Sequence, residues 1–168
     1  MTTADVAAQR FEQKYSCAQA TFSALAERFG IPPELAFRIA AGFGGGIARS
    51  AKTCGCVTGA VMAIGMTQTA VTPAENDIER EKTYAVVQRL LKEVTARHGS
   101  VECLDLIGCH IGTPEGMQYA KDNKLFRTKC PLIMRDVVEI TERLLEARGF
   151  PAAAAAAKVL SMVRRRLA

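Results

Sequence analysis

The chain has no tryptophan, and aromatic residues make up only 6% of its 168 positions. Sandwich and barrel cores draw on β-branched and aromatic side chains, so this shortage argues against them. No alternating polar–apolar pattern marks a strand. No stretch reaches the roughly 20 apolar residues that a membrane-spanning helix requires. The longest mostly apolar run, Cys54 to Met66, is short and interrupted by Gly55, Gly59 and Gly65. The opening residues, Met1-Thr2-Thr3-Ala4-Asp5, lack the basic region and apolar core of a secretory signal. The expected compartment is therefore the cytoplasm. Histidine is scarce, at two residues, and no Ser/His/Asp arrangement or carboxylate pair suggests hydrolytic chemistry. The glycines at Gly42 and Gly44 to Gly46 have no P-loop lysine and no preceding strand, which excludes a nucleotide loop.

What is present favours helices. Hydrophobic residues make up 49% of the chain, and alanine, leucine and glutamate are plentiful. The expected fold is all-α, a compact multi-helix bundle. The net charge is +5, and Lys158, Arg164, Arg165 and Arg166 supply most of it from a segment without acids. This divides the chain into a near-neutral domain over residues 1–149 and an Ala/Arg-rich helical tail over residues 150–168. The tail arginines have no interleaved aromatics, so no nucleic-acid partner is expected.

Phe11, Tyr15, Ala18, Phe22, Leu25 and Phe29 recur at steps of three and four, which predicts one amphipathic helix ending at Gly30. Cys17 lies at the edge of that stripe. A short helix is expected from Glu34 to Ala41. The four glycines at 42 and 44–46 then preclude regular helix. Further helices are expected from Thr53 to Thr69, from Glu75 to His98, and from Val101 to Ile107 behind a Ser100 cap. Tyr84, Val87, Leu90, Leu91 and Val94 form the apolar face of the second of these. Thr113-Pro114 starts another helix. Cys130, as a cap before Pro131, opens the last one, to Arg148.

Six cysteines stand in a chain that needs no disulfides for its size. In a reducing compartment such a set indicates metal binding or redox chemistry. Cys54, Cys103 and Cys130 all fall at expected helix starts, where free N–H groups and the helix dipole favour a thiolate. Cys54 and Cys56 can serve one site only if their helix begins between them. Cys109 follows a short helix, beside His110, which is a better candidate ligand than His98. No C-x-x-C is present, so thioredoxin-type and paired zinc-ribbon motifs are absent. Leu106 stands where C-x-x-C-H would need its first cysteine, so no covalent haem is expected. The C-x₂-C-x₂-C ferredoxin run is also missing. A cluster would therefore draw on cysteines scattered over several helices, with Gly44, Gly45 and Gly46 as candidate backbone donors to it.

Taken in order, these stretches resemble a known family. They are Tyr15-Ser16-Cys17-Ala18, Gly42-Phe43-Gly44-Gly45-Gly46, Thr53-Cys54-Gly55-Cys56-Val57-Thr58-Gly59, Cys103-Leu104-Asp105-Leu106-Ile107-Gly108-Cys109, Thr113-Pro114-Glu115-Gly116 and Cys130-Pro131. The chain resembles the redox-active family named for its signature C…GCAxxG…C…C, over roughly Tyr15 to Leu145. That family is similar to the helical part of split-Soret cytochromes, whose haem motifs this chain lacks. The resemblance implies a helical fold, clustered cysteines, a redox or metal role and a homodimer. It carries Cys17, Cys54, Cys103, Cys109 and Cys130 over as functional candidates. Cys56 departs from it, standing where the motif usually has alanine.

The expected function is electron transfer through an iron–sulfur cluster, of the [4Fe–4S] type for example. Cys54, Cys103, Cys109 and Cys130 are the core ligands in that reading, with Cys17 and Cys56 nearby. The alternatives are a metal-free thiol–disulfide protein or sensor, a zinc or soft-metal carrier, and a structural helical dimer. A redox partner protein is implied but not identified.

Overall fold

The computed structural model describes residues 1–70 and 72–150. Apart from one bridge between Thr53 and Glu102, all regular structure among these residues is helical. The helices are α1 (Thr3–Glu12), α2 (Cys17–Ala26), α3 (Pro33–Ile39), α4 (Gly55–Gly65) and α5 (Pro73–His98), followed by α6 (Cys103–Ile107), α7 (Pro114–Asp122), α8 (Leu125–Thr128) and α9 (Cys130–Ala147). The all-α expectation holds. The tail helix expected beyond residue 150 lies outside the described residues. Among the described residues, no helix is long and apolar enough to cross a membrane.

The single helix expected from Phe11 to Phe29 is two helices. Lys14 adopts a left-handed backbone at φ 74°, and the chain turns there. Ser16 then caps α2: its hydroxyl accepts from Gln19 N–H at 3.3 Å, and Gln19 Oε1 accepts from Ser16 N–H at 3.0 Å. This reciprocal capping box outweighs the continuing apolar period. It also moves Cys17 from mid-helix to the first position of α2. Thr2 and Asp5 form a second such box, which starts α1. The Gly30 stop holds, at φ 73°.

α2 is the centre of the bundle. Eight of its ten residues are buried, most of them alanine, serine or threonine. Small side chains let neighbours approach closely, and α2 packs on α1, α3, α4 and α9. Its tightest neighbour is α4. A β-carbon on Gly59 would lie 2.9 Å from the Ala18 carbonyl oxygen and 3.0 Å from Phe22 N. One on Gly55 would lie 2.9 Å from Ala18 N. Glycine at these two positions is therefore a packing requirement.

α9 closes the core with Met134, Val137, Val138, Leu144 and Leu145, all buried, as its apolar period predicts. A partly buried Arg28–Glu142 ion pair at 2.6 Å ties the 3₁₀ turn after α2 (Glu27–Phe29) to α9, and Arg28 also donates to the Phe150 carbonyl at 3.2 Å. α5 is mostly polar and contributes Leu90 and Val94 to the core. Tyr84, expected on its apolar face, is 53% exposed.

Other boundaries differ from expectation too, among them the end of α4, at Gly65 and not Thr69. α4 begins at Gly55, not Thr53, with Cys54 as its cap residue. α6 begins at Cys103 behind Glu102, because the Ser100 hydroxyl turns to Asp105 and to Glu102 N–H instead of capping a helix at Val101. Cys130 is the first helical residue of α9, and Lys129 holds the cap position. The four-residue α8 was not expected at all; its entry, Lys124, is left-handed at φ 55°.

Candidate functional site: converging thiols

Four helix starts deliver the thiols. Cys17, Cys103 and Cys130 are first residues of α2, α6 and α9, and Cys54 and Cys56 flank the first residue of α4. The helix does begin between Cys54 and Cys56, the condition under which both can serve one site. The three longer helices, α2, α4 and α9, each present unpaired N–H groups and a positive dipole end, which favour anionic sulfur. α6 is little more than one turn and adds position more than field.

Backbone pairing sets two of the thiols side by side. Cys54 N–H donates to the Val101 carbonyl at 2.8 Å, and Cys103 N–H donates to the Lys52 carbonyl at 2.7 Å. Leu104 N–H donates to Ala51 O at 3.0 Å, and the Thr53 hydroxyl reaches Glu102 Oε1 at 2.9 Å. This short antiparallel stitch joins two segments about fifty residues apart in sequence. The tight α2–α4 contact adds Cys17: a β-carbon on Gly55 would lie 3.1 Å from Cys17 Cβ.

Cys17, Cys54, Cys56, Cys103 and Cys130 line one small enclosed cavity, together with Gly45, Leu106 and Ile133. Cys54, Cys56, Cys103 and Cys130 are buried and Cys17 is half-buried; the cysteines form no disulfide. The thiols influence one another in a chain: Cys130 and Cys56 act on Cys17, and Cys54 acts on Cys56.

That chain separates their acidities. Hydrogen bonds from Cys130, then Cys56, hold the Cys17 thiol well below its ordinary value, against the effect of burial. The same bonds raise Cys56 and Cys130, whose protons are the ones donated, and burial raises both further. Cys103 is pushed up to about 12, first by burial and then by the neighbouring charge of Cys54 and Cys17. Cys17 is therefore the thiol of this group whose acidity is raised.

Cys109 does not line this cavity. It is half-buried in a smaller apolar cluster with Cys103, Ile107 and Ile111. His110 Nδ1 accepts from Gly112 N–H at 3.2 Å within a local turn, and His98 Nε2 lies 2.9 Å from Asp136 Oδ2. Of the glycines proposed as backbone donors, Gly45 lines the cavity. Gly44 and Gly46 are fixed by packing: added β-carbons would lie 2.6 Å from Ser16 Cβ and 2.5 Å from the Lys52 carbonyl oxygen.

The donor set suits a soft metal centre. Thiolate is the ligand that iron–sulfur clusters and soft metals select, and the helix ends offset its charge. The enclosed cavity measures only about 10 Å³, room for little more than a water molecule. Its open side is a cleft of about 1120 Å³, which shares Cys17, Cys103 and Cys130 with it. A group larger than one atom would be accommodated on that side. Among the described residues, no three His, Cys, Asp or Glu side chains stand as a ready-made cage for a single ion.

Two features of the site escaped the sequence reading. The placement of Cys17 at a helix start was missed, although Ser16-Cys17-Ala18-Gln19 carries the capping-box signature. The 51–54 to 101–104 stitch has no local signal. Compared with known proteins, the chain matches one family model, described as "Putative redox-active protein (C_GCAxxG_C_C)", over residues 15–144. No curated protein and no solved structure matches it.

Proposed function

The chain belongs to the redox-active C_GCAxxG_C_C family, and from that premise we propose that it transfers electrons through an iron–sulfur cluster held by cysteine thiolates. The observation that carries the proposal is the convergence of five thiols from four helix starts around one cavity. Cys17, Cys54, Cys103 and Cys130 are the ligands in this reading, with Cys56 as a fifth thiol in contact and Cys109 outside the set. The cluster would supply reversible one-electron chemistry.

The chain's own residues do the rest. The starts of α2, α4 and α9 lower the cost of gathering negative charge in a buried place. The antiparallel stitch fixes the Cys54 and Cys103 backbones against each other before anything binds. Leu106 and Ile133 keep water from the inner side. Binding displaces the protons now shared among Cys56, Cys103 and Cys130, so affinity rises with pH. The reading keeps the reducing compartment and the homodimer expected from the sequence.

The test is to purify the chain without oxygen and measure iron, acid-labile sulfide and zinc beside a visible spectrum. Near-equal iron and sulfide with broad absorbance are expected, and Cys54→Ser should lose both together. Metal-free, colourless protein that also resists reconstitution refutes the cluster.

One observation favours a second reading. Five thiols converge on one cavity and Cys17 among them is held below its ordinary value, which is the arrangement a thiol–disulfide protein needs. In that case single-cysteine variants should trap a mixed disulfide, and no iron should be required.

A further inference from the structure

The open cleft has a character of its own. Its volume of about 1120 Å³ is at the upper end for a small-molecule site. The thiols of Cys17, Cys103 and Cys130 line one part of it. Phe11, Tyr15 and Phe126, all half-buried, supply aromatic surface, and Tyr15 is itself braced by stacking on Phe37 at 3.8 Å between centroids.

The charges around the cleft are unbalanced. Lys14, Arg49 and Arg127 line it against one carboxylate, Glu12. Among the described residues, none of these three cations makes an ion pair. Among the described residues, the arginines without a carboxylate partner are Arg38, Arg49 and Arg127, and two of these three lie at this cleft.

The position of Arg49 is built into the backbone. Ile47, Ala48 and Arg49 are consecutive left-handed residues at φ 61°, 50° and 63°. L-residues seldom adopt that conformation in succession, and strain of this kind gathers at ligand clamps. Two glycines make the room: a β-carbon on Gly45 would lie 3.1 Å from Arg49 Cα, and one on Gly112 would lie 2.4 Å from Arg49 O. Arg49 N–H is fixed to the Gly44 carbonyl at 3.1 Å. The backbone is thus clamped from both sides while the side chain is exposed and, among the described residues, in no ion pair. Lys14 also lines the cleft from a left-handed position.

We propose that this cleft binds a small organic anion with an aromatic body, its charge held by Arg49, Arg127 and Lys14 and its ring lying against Phe11, Tyr15 and Phe126. The inference goes beyond the iron–sulfur reading and rests on this cationic, aromatic part of the cleft, not on the thiols.

The probe is 8-anilinonaphthalene-1-sulfonate, titrated calorimetrically into the full chain as purified without oxygen. One saturable site is expected. Each charge-assisted contact is worth enough that Arg49→Gln with Arg127→Gln should weaken binding roughly tenfold or more. Arg38→Gln, an exposed unpaired cation away from the cleft, should leave it unchanged. N-phenyl-1-naphthylamine, the same ring system without the sulfonate, should bind as weakly as the anion does to the double variant. The affinity of the native chain should also fall as potassium chloride is raised. The absence of a saturable site, equal affinity in the double variant, or equal loss in Arg38→Gln overturns the proposal. Should the double variant not fold, a salt-independent affinity in the native chain overturns it instead.

Discussion

Gly59 and Gly65 lie in the same helix, yet replacement by alanine should move stability in opposite directions. At Gly65 an added β-carbon meets nothing within 4 Å. The residue is exposed near the end of α4, so alanine gains part of its helix preference, about 0.5 kcal/mol. At Gly59 the same atom would lie 2.9 Å from Ala18 O, 3.0 Å from Phe22 N and 3.1 Å from Thr21 Cβ. Two of those atoms are backbone inside a buried helix and have no rotamer to change. Overpacking of this kind costs about 3 kcal/mol, against a gain in helix preference of about 1 kcal/mol. The expected net loss is about 2 kcal/mol, or about 4–8 °C in Tm for a chain of this size. In urea that is a fall in midpoint of about 1 M with an unchanged slope. Circular dichroism melts and urea titrations of the two variants and the parent are sufficient. The variant should also alkylate faster at Cys56, which is 1% exposed, because α4 has been pushed off α2. If Gly59→Ala matches or exceeds the parent in stability, the close α2–α4 approach is not the constraint argued above.

Three further outcomes are expected. Arg28→Ala removes the partner of the partly buried Glu142 and the donor to Phe150 O, and should cost about 2–4 kcal/mol in urea unfolding, with Arg28→Met less damaging because it refills the space. Hydrogen bonds from Arg135 and then Thr2 hold the Asp5 carboxyl well below the usual carboxylate range. A folded pKa lower than the unfolded one stabilises above about pH 4 and loses that contribution as pH falls further, so Asp5→Asn should flatten the acid loss of urea midpoint between pH 6 and pH 3. In reduced, metal-free protein a short iodoacetamide pulse at pH 7 should label Cys17 before Cys103, read by peptide mass spectrometry. Cys17 is half-buried with its thiol held well below its ordinary value, whereas Cys103 is buried with its thiol raised to about 12; Cys103 labelling first would refute the assigned order of acidities.

The sequence by itself determined the helical class, most of the helix stops and the candidacy of the thiols, because each is written in neighbouring residues. Gly30, Gly99 and Gly108 adopt the left-handed backbone that ends α-helical segments, as glycine after an apolar period foretells. Thr113-Pro114 and Cys130-Pro131 start helices for equally local reasons. The break before Cys17 was legible too, in Ser16 and Gln19, but a continuous apolar stripe masked it. Only the tertiary structure decided which cysteines meet. Cys103 and Cys109 are six positions apart, yet Cys109 lies outside the cavity, while Cys17 and Cys130, more than a hundred positions apart, line it together. That outcome depends on two close approaches, the pairing of residues 51–54 with 101–104 and the glycine seam between α2 and α4. Both are contacts between distant segments, and their energy depends on what lies opposite each residue, which no local pattern of one chain records.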